Sequence, residues 1–258
     1  MDIIKLASLE NGILHISLNR PDSLNALSQE MLKRLSNILE NAKLDTAVKT
    51  ILLSGEGKGF CAGADIKQLA ALNGQSGLAF ASFGQQVFNQ LESLGKPSLA
   101  VLHGFAFGGG CELAMAATLR IAANNTVFGQ PEIKLGVIPG FGGTQRLPRL
   151  IGKGRALDIC LSGRKFTAEE ALQWGFLNEV TAAENLMIRA KAILSELGKF
   201  SPAALQSIMT VIHQGSDLSL TDALQLEACH FGLVCTTADK KEGVNAFLEK
   251  RPAVFSGE

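Results

Sequence analysis

Residues 103–113, HGFAFGGGCEL, limit what this chain can fold into more than any other stretch. Gly104, Gly108, Gly109 and Gly110 strip side chains from the backbone just ahead of Glu112. The apolar run at residues 98–102 precedes it as a strand would, and the alanine-rich residues 113–117 that follow have helix-forming composition. Strand, glycine loop and helix in that order leave unpaired N–H groups at a helix start, where they suit a negative charge. A second acid, Glu132, comes twenty positions later in GQPEIKLGVIPGFGG. The pattern predicts a polarised carbonyl oxygen resting on glycine N–H groups, with two glutamates placed to move protons.

Apolar residues continue from 98 to 123, but His103, Glu112, Arg120 and the glycines interrupt them. A spanning helix is an unbroken apolar run of about 20 residues, so the stretch reads as buried core and no membrane partner is expected. With 258 residues, 47% hydrophobic and 19% charged, the chain can enclose a sizeable core. Its 24 basic and 24 acidic residues balance, so no general field draws it to nucleic acid. Any anionic ligand must be met by local cations.

Cys61, Cys111, Cys160, Cys229 and Cys235 are odd in number and form no Cys-x-x-Cys, which implies reduced thiols, a cytoplasmic setting and no metal site. Residues 1–10 contain early acids and no long apolar region, so no secretory signal is expected in them. A mitochondrial-matrix location stays open, because a removed transit peptide leaves no trace.

In chain order, residues 3–9 and 13–18 read as strands joined by Asn11-Gly12, a hairpin signal. Ser28 caps a predicted helix to Leu44, with Met31, Leu32, Leu35, Ile38, Leu39 and Ala42 at helical spacing. A short strand at 50–53 opens into the glycine-broken loop 54–67, of the kind that brings backbone close to a ligand. Neither G-x-G-x-x-G nor G-x-x-x-x-G-K-[ST] is completed there or at 108–113, so the nucleotide-fold motifs are lacking. Residues 70–94 are helical in composition. Residues 119–122 and 127–128 read as short strands, and Pro131-Glu132 sits at a strand end. A second glycine loop, 139–143, leads into Thr144-Gln145-Arg146-Leu147. The recurrence suggests an α/β chain of stacked β-β-α units and not a doubly wound sheet.

Beyond about residue 151 the chain turns helical. Thr167 and Glu170 make a capping box, Gly175 a stop, and Ser201-Pro202 a cap with proline at the first helical position. Helices at 184–197, 202–213, 221–234 and 240–250 form a C-terminal layer whose apolar faces suit oligomer contacts. The expected division is a core of residues 1–195 carrying the site and a helical region of residues 196–258.

NRPDSLNAL at 19–27, GKGFCAGADI at 57–66, HGFAFGGGCELAM at 103–115, FGQPEIKLGVIPGFGGTQRLPR at 128–149 and AFLEKR at 246–251 together resemble the enoyl-CoA hydratase/isomerase, or crotonase, superfamily. The resemblance runs in order over nearly the whole chain. It implies a crotonase-like spiral of β-β-α units, an acyl-CoA thioester substrate, no separate cofactor, and a homo-oligomer, trimer or hexamer. It also implies that the backbone N–H groups of Ala64 and Gly109 hold the thioester oxygen. Glu112 and Glu132 map to the hydratase acid pair, and Ala62, Ala64, Asp65, Ile66 and Lys67 to the adenine-binding turn. Phe231 maps to a residue lining the acyl or CoA channel, and Lys250 to a lysine near the CoA phosphates that a neighbouring subunit often lends.

Adding water to an α,β-unsaturated thioester drives negative charge onto the carbonyl oxygen, and one N–H donor aimed at it is typically worth roughly 3 to 4 kcal/mol of barrier. Water must lose a proton and the α-carbon must gain one, so both glutamates are needed; Glu112 is taken as base and Glu132 as acid, with the exchanged roles as the alternative. The rival reaction on the same fold is double-bond isomerisation, which often needs one acid. Decarboxylation and thioester hydrolysis are further crotonase chemistries, and a CoA- or RNA-binding scaffold is the non-enzymatic alternative. His103 reads as a packed or hydrogen-bonded structural residue, and Cys61 and Cys111 as small core residues.

Overall fold

The computed structural model describes residues 2–7 and 9–258. Strands β1 (Ile4–Leu6) and β2 (Ile13–Leu18) pair antiparallel through Asn11 and Gly12, whose φ values of 53° and 78° are the left-handed pair such a turn needs. The first strand is shorter than its apolar pattern, and Ser8 lies outside the described residues. Helix α1 (Gln29–Leu44) begins where expected, with the Ser28 hydroxyl accepting from the Met31 N–H at 3.2 Å. Its buried face holds the six apolar residues that the spacing picks out, together with Ser36.

The chain continues through β3 (Thr50–Gly55), α2 (Ile66–Leu69), α3 (Gly74–Glu92), β4 (Ser98–Leu102), β5 (Phe105–Phe107), α4 (Gly109–Ala116), β6 (Leu119–Ala123) and β7 (Val127–Gly129). Then come α5 (Gly143–Ile151), α6 (Lys153–Ser162), β8 (Lys165–Thr167), α7 (Ala168–Gln173), β9 (Glu179–Thr181) and α8 (Leu186–Leu197). Strands β1-β2-β3-β4-β6-β9 make one sheet, parallel except for β1, and β5-β7-β8 make a second. Two successive steps of the spiral lay one strand in the large sheet and the next in the small one: β4 then β5 before α4, β6 then β7 before α5. That is the β-β-α stacking the sequence suggested.

Strand β5 sits inside the stretch that reads as a plain glycine loop. Phe105 and Phe107 point to one side and stack at 5.5 Å between ring centroids, while the backbone pairs with β7 in parallel register. Glu132 likewise opens a 3-10 turn, Glu132–Leu135, instead of closing a strand.

Both faces of the large sheet are covered, as a parallel sheet requires. One face packs on α1, α3 and α4, whose eight residues are all buried. The other packs Leu52, Leu99, Val101 and Ile121 against Leu186, Ala190 and Leu194 of α8. The capping box at α7 is complete: Thr167 accepts from the Glu170 N–H, and Glu170 from the Thr167 N–H at 2.8 Å.

Helices α9 (Pro202–Gly215), α10 (Leu220–Cys235) and α11 (Ala238–Leu248) form the C-terminal layer. Neither α9 nor α10 buries a residue, and Leu220, Phe231 and Phe247 are among the exposed apolar side chains. Among the described residues, no helix is long and apolar enough to cross a membrane.

Candidate active site

The site is assembled from three loops, and the first is held by the segment 19–27. Buried Asn25, at φ 57°, donates from Nδ2 to the carbonyls of Glu56, Gly59 and Phe60 at 2.8, 3.0 and 3.1 Å. Arg20 reaches the Ala26 carbonyl at 2.7 Å and the Asp65 carboxylate at 3.1 Å. Cys61 donates its thiol to the Asn25 carbonyl, and the His103 ring lies 3.0 Å from the Gly57 carbonyl oxygen. Loop 56–67 is thereby fixed on both sides, and His103 and Cys61 hold the structural places expected of them.

Leu27 then bridges to this loop in parallel. Its N–H donates to the Gly63 carbonyl at 2.8 Å and its carbonyl accepts from Asp65 at 3.0 Å. The residue between, Ala64, must turn its own N–H the other way, toward the cavity. The second donor comes from the start of α4. As the first helical residue, Gly109 has an N–H with no intrahelical partner. A Cβ built on Gly63 would stand 3.6 Å from that nitrogen, so the two donors are neighbours.

Each of Gly108, Gly109 and Gly110 faces a different group where a side chain would start. A Cβ at Gly108, already at φ 49°, would lie 2.7 Å from Oε1 of Glu132. One at Gly109 would press on the Phe141 ring and Leu27, and one at Gly110 would meet the Cys61 carbonyl at 2.5 Å.

Ala64, Gly109, Glu112 and Glu132 all line one cavity of about 1520 Å³. Leu69, Leu72, Leu78, Phe80, Ile138 and Phe141 make part of its wall apolar. The Phe141 ring is wedged edge-on against Phe80 and Phe88, at 5.1 and 5.5 Å between centroids.

Glu112 is 1% exposed, and its Oε1 accepts from the N–H groups of Phe141 and Gly143 at 2.8 and 2.6 Å. Burial first, and then the nearby Glu132, push its carboxyl up to about 8 against the pull of those two donors and Arg146. Burial likewise pushes Glu132 up to about 7. With its nitrogen turned toward the carboxylate, the buried Gln130 amide donates to both Glu132 oxygens, at 3.0 and 3.2 Å. Glu112 is buried and Glu132 half-buried, and two neighbouring acids raised into the neutral range titrate as a pair, which favours the state with one ionised and one protonated. Burial also raises the Cys61 and Cys160 thiols, to about 12 and 11, and holds Cys111 well above the usual thiol value, so all three stay protonated.

Of the residues that the resemblance assigns to an adenine turn, Ala62 donates to the Leu24 carbonyl, and Asp65 caps α2 by accepting from the Lys67 N–H at 3.1 Å. Ile66 and Lys67 are exposed beside them. Phe231 lies on an exposed face of α10 and Lys250 just past α11, neither on the cavity wall. Phe141 falls in the stretch 138–141 that the sequence marks as pocket lining, whereas Gln130 and Arg146 were not singled out, and the only signal for them was membership of the block 128–149.

The sequence profile described as enoyl-CoA hydratase/isomerase matches residues 8–258. The short-chain-enoyl-CoA hydratase of Clostridium acetobutylicum is 40% identical over 243 residues, spanning 94% of this chain and 93% of that one. The crotonyl-CoA hydratase of Syntrophomonas wolfei is 40% identical over 247 residues, 95% of each chain. The crystal structure of an enoyl-CoA hydratase from Bacillus anthracis superimposes with a TM-score of 0.95 at 36% identity, over 100% of both chains.

Proposed function

The chain belongs to the enoyl-CoA hydratase/isomerase family, and we propose from that premise that it reversibly hydrates a trans-2-enoyl-CoA to the 3-hydroxyacyl-CoA. The observation that carries this reading is the raised pair Glu112 and Glu132, set in one cavity with two backbone N–H groups.

The thioester oxygen accepts from the N–H groups of Ala64 and Gly109. Ionised Glu112 takes a proton from water as the water oxygen bonds to the β-carbon. The π pair shifts toward the thioester, and charge gathers on the oxygen that the two donors hold. Protonated Glu132 then delivers its proton to the α-carbon on the same face, which makes the addition syn. Glu112 ends protonated and Glu132 ionised, and proton exchange restores the pair. Glu112 carries the higher of the two raised values, about 8 against about 7, so its ionised form is the minor partner near neutrality; the two N–H bonds to one Glu112 oxygen favour that anion and leave the other oxygen for water, which supports Glu112 as the base. Each acid supplies on the order of 10²- to 10⁴-fold.

Peptide dipoles supply the electrophile, so the reading assigns no metal or redox cofactor, and coenzyme A enters as part of the substrate. Phe80 and Phe141 form part of the apolar wall, and the short-chain-enoyl-CoA and crotonyl-CoA hydratases among the relatives support a short acyl chain. Ala62, Asp65, Ile66 and Lys67 form the adenine turn. Phe231 and Lys250 reach CoA within a homotrimer or hexamer, which the uncovered apolar faces of α9–α11 support. The unpaired cysteines fit the cytoplasm.

Loss of the conjugated absorbance of crotonyl-CoA tests the reaction, with Glu112→Gln as control. Rapid loss by the wild type alone is the expected result. No loss from a folded protein that binds CoA would overturn hydration and direct the assay to 3-enoyl-CoA isomerisation.

A further inference from the structure

The turn 139–143 supplies both N–H groups that hold Glu112, yet its own fixation comes from α3 and α5. Arg146 of α5 donates from Nε and Nη2 to the Glu92 carboxylate, the shortest contact being 2.8 Å. Nη2 also reaches Asn89 Oδ1 at 2.6 Å, and Nη1 reaches the Phe141 carbonyl at 3.1 Å. Gln85 adds a bond to the Gly140 carbonyl at 2.8 Å. The guanidinium lies under Gly142, at φ 111°, where a side chain would run into Nη1.

This pair differs from the chain's ordinary surface ion pairs. The Arg146 and Glu92 side chains are 12% and 28% exposed, against 57% and 65% for Arg149 and Asp217. All three guanidinium nitrogens are used, and a fork held this way is more directional than a solvated pair. Phe141 is the link: its N–H donates to Glu112 and its carbonyl accepts from Arg146.

We infer that Arg146, braced by Glu92 and Asn89, is a positioning residue for hydration: it holds the turn 139–143 in the shape that aims Glu112 at the reacting water. This rests on the proposed reaction for its catalytic consequence and on geometry alone for its effect on Glu112.

The groups facing Glu112 are Glu132 from the 3-10 turn, Arg146 from α5, and the thiols of Cys111 and Cys160 from α4 and α6. The thiols are neutral and Glu132 repels, so Arg146 is the cation that favours the Glu112 anion. Its removal acts twice in one direction: the positive charge goes, and the N–H grip loosens. Both favour the protonated acid, so a base at this position would need a higher pH to work.

The test uses full-length Arg146→Met, with the Glu112 carboxyl titrated by ¹³C NMR in the free protein and crotonyl-CoA turnover followed against pH. The Glu112 midpoint is expected to rise. The catalytic constant should fall about 10- to 100-fold, as small misplacements of a reacting group do, with KM little changed and the rising limb moved to higher pH. Arg146→Lys returns the charge but not the fork, so it should restore the midpoint more than the turnover. An unmoved midpoint and pH profile in a folded Arg146→Met would overturn the inference, as would a change confined to KM, which would make Arg146 a binding residue. Should that variant fail to fold, Glu92→Gln and Gln85→Met carry the same test with smaller shifts expected. If the wild type does not hydrate crotonyl-CoA, the proposed function falls, while the NMR midpoint still decides whether Arg146 sets the state of Glu112.

Discussion

Helices α4 and α10 are both rich in apolar residues, but all eight residues of α4 are buried and none of the sixteen in α10 is. The difference is in what surrounds them. Helix α4 is enclosed by the sheets, α3 and α5, whereas α10 rests chiefly on α9 and turns Leu224, Phe231 and Leu233 outward. Apolar composition marks where burial is wanted and does not say which molecule provides it. The contrast also divides the chemistry: the N–H donors and acids come from the enclosed half of one chain, while Phe231 and Lys250 sit on the half that a single chain leaves open.

The comparison can be broken or sharpened in several ways. The largest effect should come from Glu112→Gln in the enclosed half, which removes the base and should cut hydration about 10²- to 10⁴-fold while CoA esters still bind. Near-normal turnover would take Glu112 out of the mechanism.

Next, Leu113→Ala should cost about 2 to 5 kcal/mol by urea unfolding, because Leu113 is wholly enclosed. Leu233→Ala, at a position 63% exposed, should cost less than about 0.5 kcal/mol in the separated chain. Equal costs would mean that α10 is covered after all, and a cost for Leu233→Ala that grows with protein concentration would identify the cover as a second copy.

A pH-dependent effect follows from the raised acid. A carboxyl with a folded-state pKa near 8 binds protons that the unfolded chain has released, so its contribution is fully present below about 4.5 and is lost as pH climbs to 8. Glu112→Gln should therefore gain stability over the wild type as pH rises from 5 to 8, by up to a few kcal/mol. Melting curves across that range would show the gap widening; a constant gap would refute the shift.

In the proposed homo-oligomer, Phe231→Asp should lower the sedimentation coefficient to that of a single chain and leave its fold intact; an unchanged coefficient would take α10 out of the contact. The smallest change, Thr167→Ala, should cost about 1 kcal/mol by removing one half of the α7 capping box.

Much of this was legible because it is local. The Ser28 cap, the six apolar positions of α1, the Thr167–Glu170 box and the Asn11-Gly12 turn are short-range features whose causes lie within a few residues. Glu112 was legible as an acid at a helix start, and the family blocks supplied Ala64 and Gly109. What could not be read depends on distant partners. Strand β5 exists because β7 lies alongside it, twenty-two positions on from Phe105 to Val127. The Glu112 carboxylate is gripped by residues 29 and 31 positions later, and Arg146 answers to Glu92, 54 positions earlier. No spacing rule spans such separations.

The three glycines at 108–110 bear on how this protein could be altered. Gly110 faces a peptide carbonyl and Gly108 combines a left-handed φ with the Glu132 carboxylate, while at Gly109 the Phe141 ring and Leu27 would have to give by a few tenths of an ångström, so relieving one contact leaves the other two. Variation at these positions therefore offers few working intermediates on the way to a new substrate range. Leu78 and Ile138 lie on the cavity wall and are each 71% exposed. Selection for altered acyl preference has its open ground there, at the rim, while the glycine turn stays fixed from one variant to the next.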